Sequence, residues 1–243
     1  MTGPLLLSGG DEFRPAYEDV DRELLAQQSV PRSVHVVLAG AARQDPEQAL
    51  TNARRHFDRL GAEAVPVDAL TPAQANRPAA ADQVKSSRFC FVAGGDPGYL
   101  LRTLRGSLLW SAILESWTSG GALAGSSAGA MVFGQWCLVR RRWPNPVERR
   151  LEPALNLVPG LVLVPHLETM GRRWLPGVLN DAPPGSIVLG IDAGTAVLWN
   201  GQDWEVRGGG MAERFSDGRE QAASQGQGIE LPEPRLPVDQ ERA

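Results

Sequence analysis

Leu123-Ala124-Gly125-Ser126-Ser127-Ala128-Gly129-Ala130 decides how this chain is read. It contains Gly125-x-Ser127-x-Gly129, the pattern of a nucleophile elbow. In that device a strand turns sharply into a helix, and the residue at the turn is held in a strained backbone conformation. Glycines two positions either side let the backbone pass close by. The serine oxygen is lifted clear of the sheet, and the N–H of Ala128 points into the same space, where it can bind an oxyanion. The plainer alternative is a small-residue turn in an α/β protein.

The flanks fit an elbow. Leu114 to Thr118 reads as the end of a helix, Gly120-Gly121 breaks it, and Ala122-Leu123-Ala124 is a short apolar strand. Ala128 to Phe133 is small and apolar, as a helix packed on a sheet must be. Further out, strands are expected at Pro4–Leu7, Ser33–Ala39, Ala64–Val67, Arg88–Ala93, Gly160–Pro165, Ile187–Asp192 and Thr195–Trp199. Their continuous apolar character suits parallel strands covered on both faces. Helices are expected between them, at Tyr17–Gln27, Asp45–Leu60 (capped by Asp45, with Pro46 in the first turn and Gly61 at the end), Thr71–Gln83, Tyr99–Arg105 and Ser107–Trp117. Asn200-Gly201 before Trp204-Glu205-Val206 is a hairpin signal. The alternation predicts an α/β fold with a single doubly wound, mostly parallel sheet and helices on both faces. One domain is expected over residues 1–215, followed by a mobile tail over 216–243 rich in Gln, Glu, Pro and Gly.

In such a sheet the site lies beyond the carboxyl ends of the strands. Four turns fall there: Ser8-Gly9-Gly10, which leads into Asp11-Glu12-Phe13, then Gly94-Gly95-Asp96, Gly125 to Gly129, and Pro165-His166. A serine nucleophile needs a base, and histidine is the usual one. The chain has three. His35 lies inside a strand between Val34 and Val36, where a core or sheet-face role is expected. His56 sits mid-helix beside Arg54, Arg55 and Arg59 and is expected at the surface. His166 follows an apolar strand at the end where a site belongs, so it is the candidate base. The alternative is a hydrogen-bonded loop histidine.

Composition narrows the class. At 243 residues, 42% hydrophobic and 21% charged, the chain can bury a substantial core. A net charge of −4 argues against broad nucleic-acid binding. No apolar run reaches the roughly 20 residues that span a bilayer, and no secretory leader is visible. Cys90 and Cys137 lack metal-ligand spacing and are not at the elbow. A cytoplasmic location is expected. The segments around Trp136, Trp143 and Trp174 suit either core packing or a homodimer surface, and Arg140 to Pro146 reads as a basic, proline-broken loop.

Three blocks together resemble the dipeptidase E and cyanophycinase family of serine peptidases, which has a class I glutamine amidotransferase-like fold. They are Val92-Ala93-Gly94-Gly95-Asp96-Pro97-Gly98-Tyr99-Leu100, Ala124-Gly125-Ser126-Ser127-Ala128-Gly129-Ala130, and Pro165-His166-Leu167 leading to Gly171-Arg172-Arg173. The resemblance spans about Leu5 to Trp199. It implies Ser127 as nucleophile, His166 as general base, and an oxyanion hole from the N–H groups of Gly95 and Ala128, with Gly94 and Asp96 in the same turn. It implies a short-peptide substrate, often aspartyl, and no metal or organic cofactor. Arg172, with Arg173, is a candidate to pair with a substrate carboxylate; the alternative is a solvated helix face.

The chain departs from the family pattern at one informative place. Many relatives carry a glutamate near the end of the sheet that is a candidate orienter of the histidine; here Gly190-Ile191-Asp192-Ala193-Gly194 places Ala193 there. Asp192 and Glu168 are the substitutes to consider. Leu167 replaces the usual Phe, Met170 stands where some relatives have Arg, and Asp96 replaces an Asn. The leading reading is therefore a serine peptidase, with activity weakened if no carboxylate reaches His166. The competing readings are a binding or regulatory protein on the same fold, and an esterase or acyltransferase using the same elbow.

Overall fold

Leu5, Leu6 and Leu7 show why the apolar runs form interior strands. Leu5 and Leu7 join one core cluster and Leu6 the other, and all three are at most 1% exposed. Alternate residues point to opposite faces, so a run buried on both sides must be apolar throughout. The structure, a computed structural model, describes residues 2–26, 28, 32–141 and 148–237.

The first half of the chain alternates β1 (Leu5–Ser8), β2 (Arg32–Val37), β3 (Ala62–Pro66), β4 (Phe89–Val92) and β5 (Ala122–Ser126) with helices α1 (Glu18–Leu25), α2 (Pro46–Arg59), α3 (Pro72–Ala75), α4 (Pro78–Lys85), α5 (Pro97–Leu104) and α6 (Leu108–Thr118). These strands are parallel, in the order β1-β5-β4-β2-β3. Asp45 caps α2 by accepting from Gln48 N at 2.9 Å, Pro46 opens it, and Gly61 follows it at φ 71°. The helix expected over Thr71–Gln83 is split in two, because Pro78 cannot donate within a continuous helix and opens a new one. The strand with the proline, β3, lies at the sheet edge.

The second half departs from the expected single sheet. The helix after the elbow, α7 (Ala128–Met131), has one turn, and the chain then enters β6 (Gly134–Arg140), β7 (Arg149–Pro153) and β8 (Val158–Pro165). A π-helical turn (Leu167–Gly171) leads into α8 (Arg172–Asp181) and β9 (Ile187–Ile191). β10 (Thr195–Trp199) and β11 (Trp204–Gly208) form the expected hairpin and return to the first sheet, antiparallel to β1. β12 (Met211–Ser216) and β13 (Arg219–Ser224) then close a second sheet of order β13-β12-β9-β8-β6-β7. The α/β class and the parallel core are as read; the single sheet is corrected to two. The cause is edge occupancy. β5 takes one side of β1 and β10 the other, so β6, β8 and β9 pair with one another and pack across the larger hydrophobic cluster.

The tail reading is corrected as well. Residues 216–237 carry β13, a bridge from Glu205 to Gly228, a hydrogen bond from Trp204 Nε1 to Pro232 O, and one from Arg235 N to Leu157 O. Polar composition suggested disorder, yet pairing with β12 and β11 gives these backbone groups partners. Of the loop expected over Arg140 to Pro146, Arg140 instead ends β6 and residues 142–146 lie outside the described residues, as does Gln27 at the end of the first helix.

His56 is also not where its neighbours implied. It is fully buried, and its Nε2 lies 2.7 Å from Asp21 Oδ2 in α1. Arg54, Arg55 and Arg59 are exposed on the other face of α2. His35 sits on a sheet face as read, its Nδ1 2.9 Å from Ser87 Oγ. Among the described residues no helix is long and apolar enough to cross a membrane.

Candidate active site

β5 delivers Ser127 to its turn at φ 48°, ψ −112°, a conformation a serine adopts only when its surroundings impose it. The flanking glycines are required by contact. A Cβ on Gly125 would lie 2.6 Å from the Gly129 backbone, and one on Gly129 would lie 2.0 Å from Val92 O. β8 delivers His166 in a left-handed conformation, φ 48°, ψ 48°. Its ring lies flat against the turn after β1: a Cβ on Gly10 would sit 2.1 Å from Cε1 and 2.3 Å from Nε2.

That turn after β1 holds both residues. Ser8 O accepts from Ser127 N at 3.0 Å, and Gly9 O accepts from His166 N at 2.8 Å. Ser127 and His166 line one cleft of about 520 Å³, together with Gly94, Gly95, Ala128 and Glu12. Gly95 adopts φ 129° where the chain passes Gly40 so closely that a Cβ would lie 2.1 Å from Gly40 O. Asp96 N donates to Gly40 O at 2.8 Å, fixing the same loop. The arrangement is a hydroxyl on a strained turn, an imidazole, and two loop segments bearing backbone N–H groups, all facing one space. This is what acyl transfer needs.

The model of peptidase family S51 matches residues 5–207. The chain belongs to peptidase family S51. Among solved structures, a peptidase from an acI-B1 Actinobacterium is 30% identical with a TM-score of 0.80, over 94% of this chain and 97% of that one. A putative peptidase E protein from Listeria monocytogenes EGD-e is 15% identical with a TM-score of 0.66, over 86% of this chain and 100% of that one, a likeness of fold. No curated protein matches the chain. The family resemblance read from the three motif blocks is thus borne out.

In this S51 peptidase several sequence candidates stand elsewhere. Asp192 is outside the cleft lining; its Oδ2 accepts from Met211 N at 2.9 Å. Burial pushes its carboxyl up from the usual range, and the nearby charges of Glu168 and Glu213 add to this against the Met211 N–H. Glu168 Oε2 accepts from Ala193 N at 3.0 Å. Among the described residues no carboxylate is hydrogen-bonded to the His166 ring. Arg172 is outside the cleft too: its guanidinium is held by Glu213, with Nη1 2.7 Å from Oε2. Asp96 caps α5, accepting from Tyr99 N at 2.9 Å, with its other oxygen 3.5 Å from Arg43 Nη1. It anchors the glycine loop and does not line the cleft.

Other residues occupy the positions these were expected to fill. Arg149 from β7 lines the cleft with its guanidinium carbon 3.8 Å from the centre of the Trp174 ring. Burial, then the charge of Arg140, pull it below the usual arginine range, with Asp96 opposing. Its Nε is buried without a hydrogen-bond partner among the described residues. Arg149 went unremarked because β7 has no apolar alternation. Glu12 was passed over as a turn residue, although its place at the carboxyl end of β1 was a signal. Among the described residues no cluster of three or more His, Cys, Asp or Glu is disposed to hold a metal.

Proposed function

We propose that this S51 peptidase is a serine hydrolase of short peptides. Ser127 Oγ attacks the scissile carbonyl while His166 takes the proton. The N–H groups of Gly95 and Ala128 receive the oxyanion, and His166 returns the proton to the leaving amine. Water then hydrolyses the acyl-enzyme. The observation that carries this reading is the forced backbone of Ser127 in the cleft that His166 also lines. The cleft volume suits a small ligand more than a long folded chain. A fluorophosphonate is expected to modify the wild-type protein and leave Ser127→Ala unmodified, read by intact mass. Absence of any modification of the wild type overturns the reading and favours the binding-protein alternative, which Ala193 and an imidazole with no carboxylate partner among the described residues motivate.

The substrate class follows from Arg149. A half-buried guanidinium beside a second arginine and stacked on Trp174 favours an anionic group, and a carboxylate matches its fork. The preferred substrates are therefore short acidic peptides, aspartyl peptides among them. Arg149→Ala is expected to lower kcat/KM for an aspartyl dipeptide by about 10- to 100-fold, the worth of a charged hydrogen bond. The neutral analogue should change much less. Arg172→Ala should leave both nearly unaltered, since its partner is Glu213. Equal losses on acidic and neutral dipeptides in Arg149→Ala would remove Arg149 from substrate recognition.

A further inference from the structure

Glu12 reaches across the cleft floor and joins the two loops that surround Ser127. Its Oε1 accepts from Gly94 N at 3.0 Å, and its Oε2 accepts from Ser126 Oγ at 2.8 Å. The first donor belongs to the glycine loop after β4 and the second to the residue just before the nucleophile. Gly94 lies between the carboxylate and the elbow. A Cβ there would be 3.0 Å from Glu12 Oε1 and 3.4 Å from Ser127 Cβ.

The segment bearing Glu12 is held rigidly. Asp11 and Phe13 on either side of it have positive φ, 59° and 65°, a cost that persists only where packing dictates it. Phe13 supplies that packing, with its ring 4.9 Å from Phe91 and 6.0 Å from Phe57. Gly10 O accepts from Tyr17 Oη and from Gly194 N, which pins the start of the turn. A carboxylate on so fixed a mount sets the position of whatever it binds.

We infer that Glu12 is a positioning residue, whose two hydrogen bonds lock the Gly94–Gly95 loop to the elbow so that the N–H groups of Gly95 and Ala128 converge on one oxyanion. The inference rests on the serine-hydrolase reading above. Both carboxylate oxygens are engaged by these donors, so the role is one of geometry and requires no proton transfer. An amide at the same place serves it as well. A glutamine Oε1 accepts from Gly94 N, its Nε2 donates to Ser126 Oγ, and the hydroxyl accepts in place of donating.

The test compares wild type, Glu12→Gln, Glu12→Ala and Ser126→Ala for the rate at which a fluorophosphonate modifies Ser127. The half-saturating reagent concentration and the melting temperature are read alongside. Phosphonylation places negative charge in the same oxyanion site, so it reports the alignment of the donors whatever the natural substrate. Glu12→Ala is expected to slow the limiting rate about 10- to 100-fold with the half-saturating concentration little changed. Glu12→Gln should recover to within a few-fold of wild type, and Ser126→Ala, which removes one of the two anchors, should fall between. If Glu12→Ala does not fold, the glutamine and Ser126→Ala variants carry the test. A Glu12→Gln rate well below that of Ser126→Ala, or wild-type rates in Glu12→Ala or Ser126→Ala, overturns the inference alone. A wild-type protein that is not modified at Ser127 overturns the serine-hydrolase reading itself.

Discussion

Ser127→Ala is expected to lower kcat by about 10²-fold, with His166→Ala costing the same and the double variant no more than either. The groups of a catalytic triad act as a unit. In serine proteases, loss of the nucleophile or of all three members costs about 10⁶, whereas loss of the carboxylate alone costs about 10⁴. Here, among the described residues, the imidazole has no carboxylate hydrogen-bonded to it, with Asp192 held on Met211 N and Glu168 on Ala193 N. Only the remaining factor of about 10² is left for the serine and histidine to supply. Steady-state kinetics on an aspartyl dipeptide check this. A fall of 10⁵ or more in Ser127→Ala would mean that a carboxylate reaches His166 during turnover, and the orienter would then have to be sought among Asp192 and Glu168.

The largest stability effect is expected at the Asp21–His56 pair, where both side chains are at most 2% exposed. Burial raises the Asp21 carboxyl above its ordinary range, with the hydrogen bond and charge of His56 opposing. Removing His56 deletes both opposing causes and leaves a buried carboxylate unpaired, a loss of about 3–5 kcal/mol. For a chain of this size that is roughly 6–20 °C in melting temperature. The pH dependence has a definite sign. A carboxyl whose folded pKa lies above its unfolded value contributes stability that is present below the unfolded pKa and is lost as pH rises through the folded one. His56→Ala should therefore be closest to wild type in mild acid and furthest from it at neutral pH and above. A melting temperature within a few degrees of wild type at neutral pH would show that the pair contributes little.

The same helix shows what the sequence did and did not disclose. Leu50, Ala53, Phe57 and Leu60 give the buried stripe of α2, and His56 stands beside Phe57 and three residues after Ala53, within that stripe. The flanking arginines drew attention to the wrong face. The elbow, the caps of α2 and the β10–β11 hairpin were legible because each is fixed by local stereochemistry: a strained turn, a side-chain acceptor, an Asn-Gly pair. The second sheet was not. β7 reads Arg149-Arg150-Leu151-Glu152-Pro153 and β13 reads Arg219-Glu220-Gln221-Ala222-Ala223-Ser224, both edge strands whose solvated faces erase the apolar signal. Their pairing is settled by partners distant in the chain, which no local pattern encodes. The turns that bring Ser127, His166 and Gly94–Gly95 to one cleft were readable. The places of Glu12 and Arg149 in that cleft needed the fold, because they depend on what these side chains face.

The path of the chain, first sheet, second sheet, first again through β10 and β11, and second again through β12 and β13, has a consequence for biosynthesis. Ser127 sits on the first sheet and His166 at the end of a strand of the second, and the two are brought together by carbonyls of the turn after β1. On the serine-hydrolase reading, a polypeptide still leaving the ribosome has Ser127 before it has all the strands that seat His166, so that reading implies a chain that gains its activity only when both layers have closed.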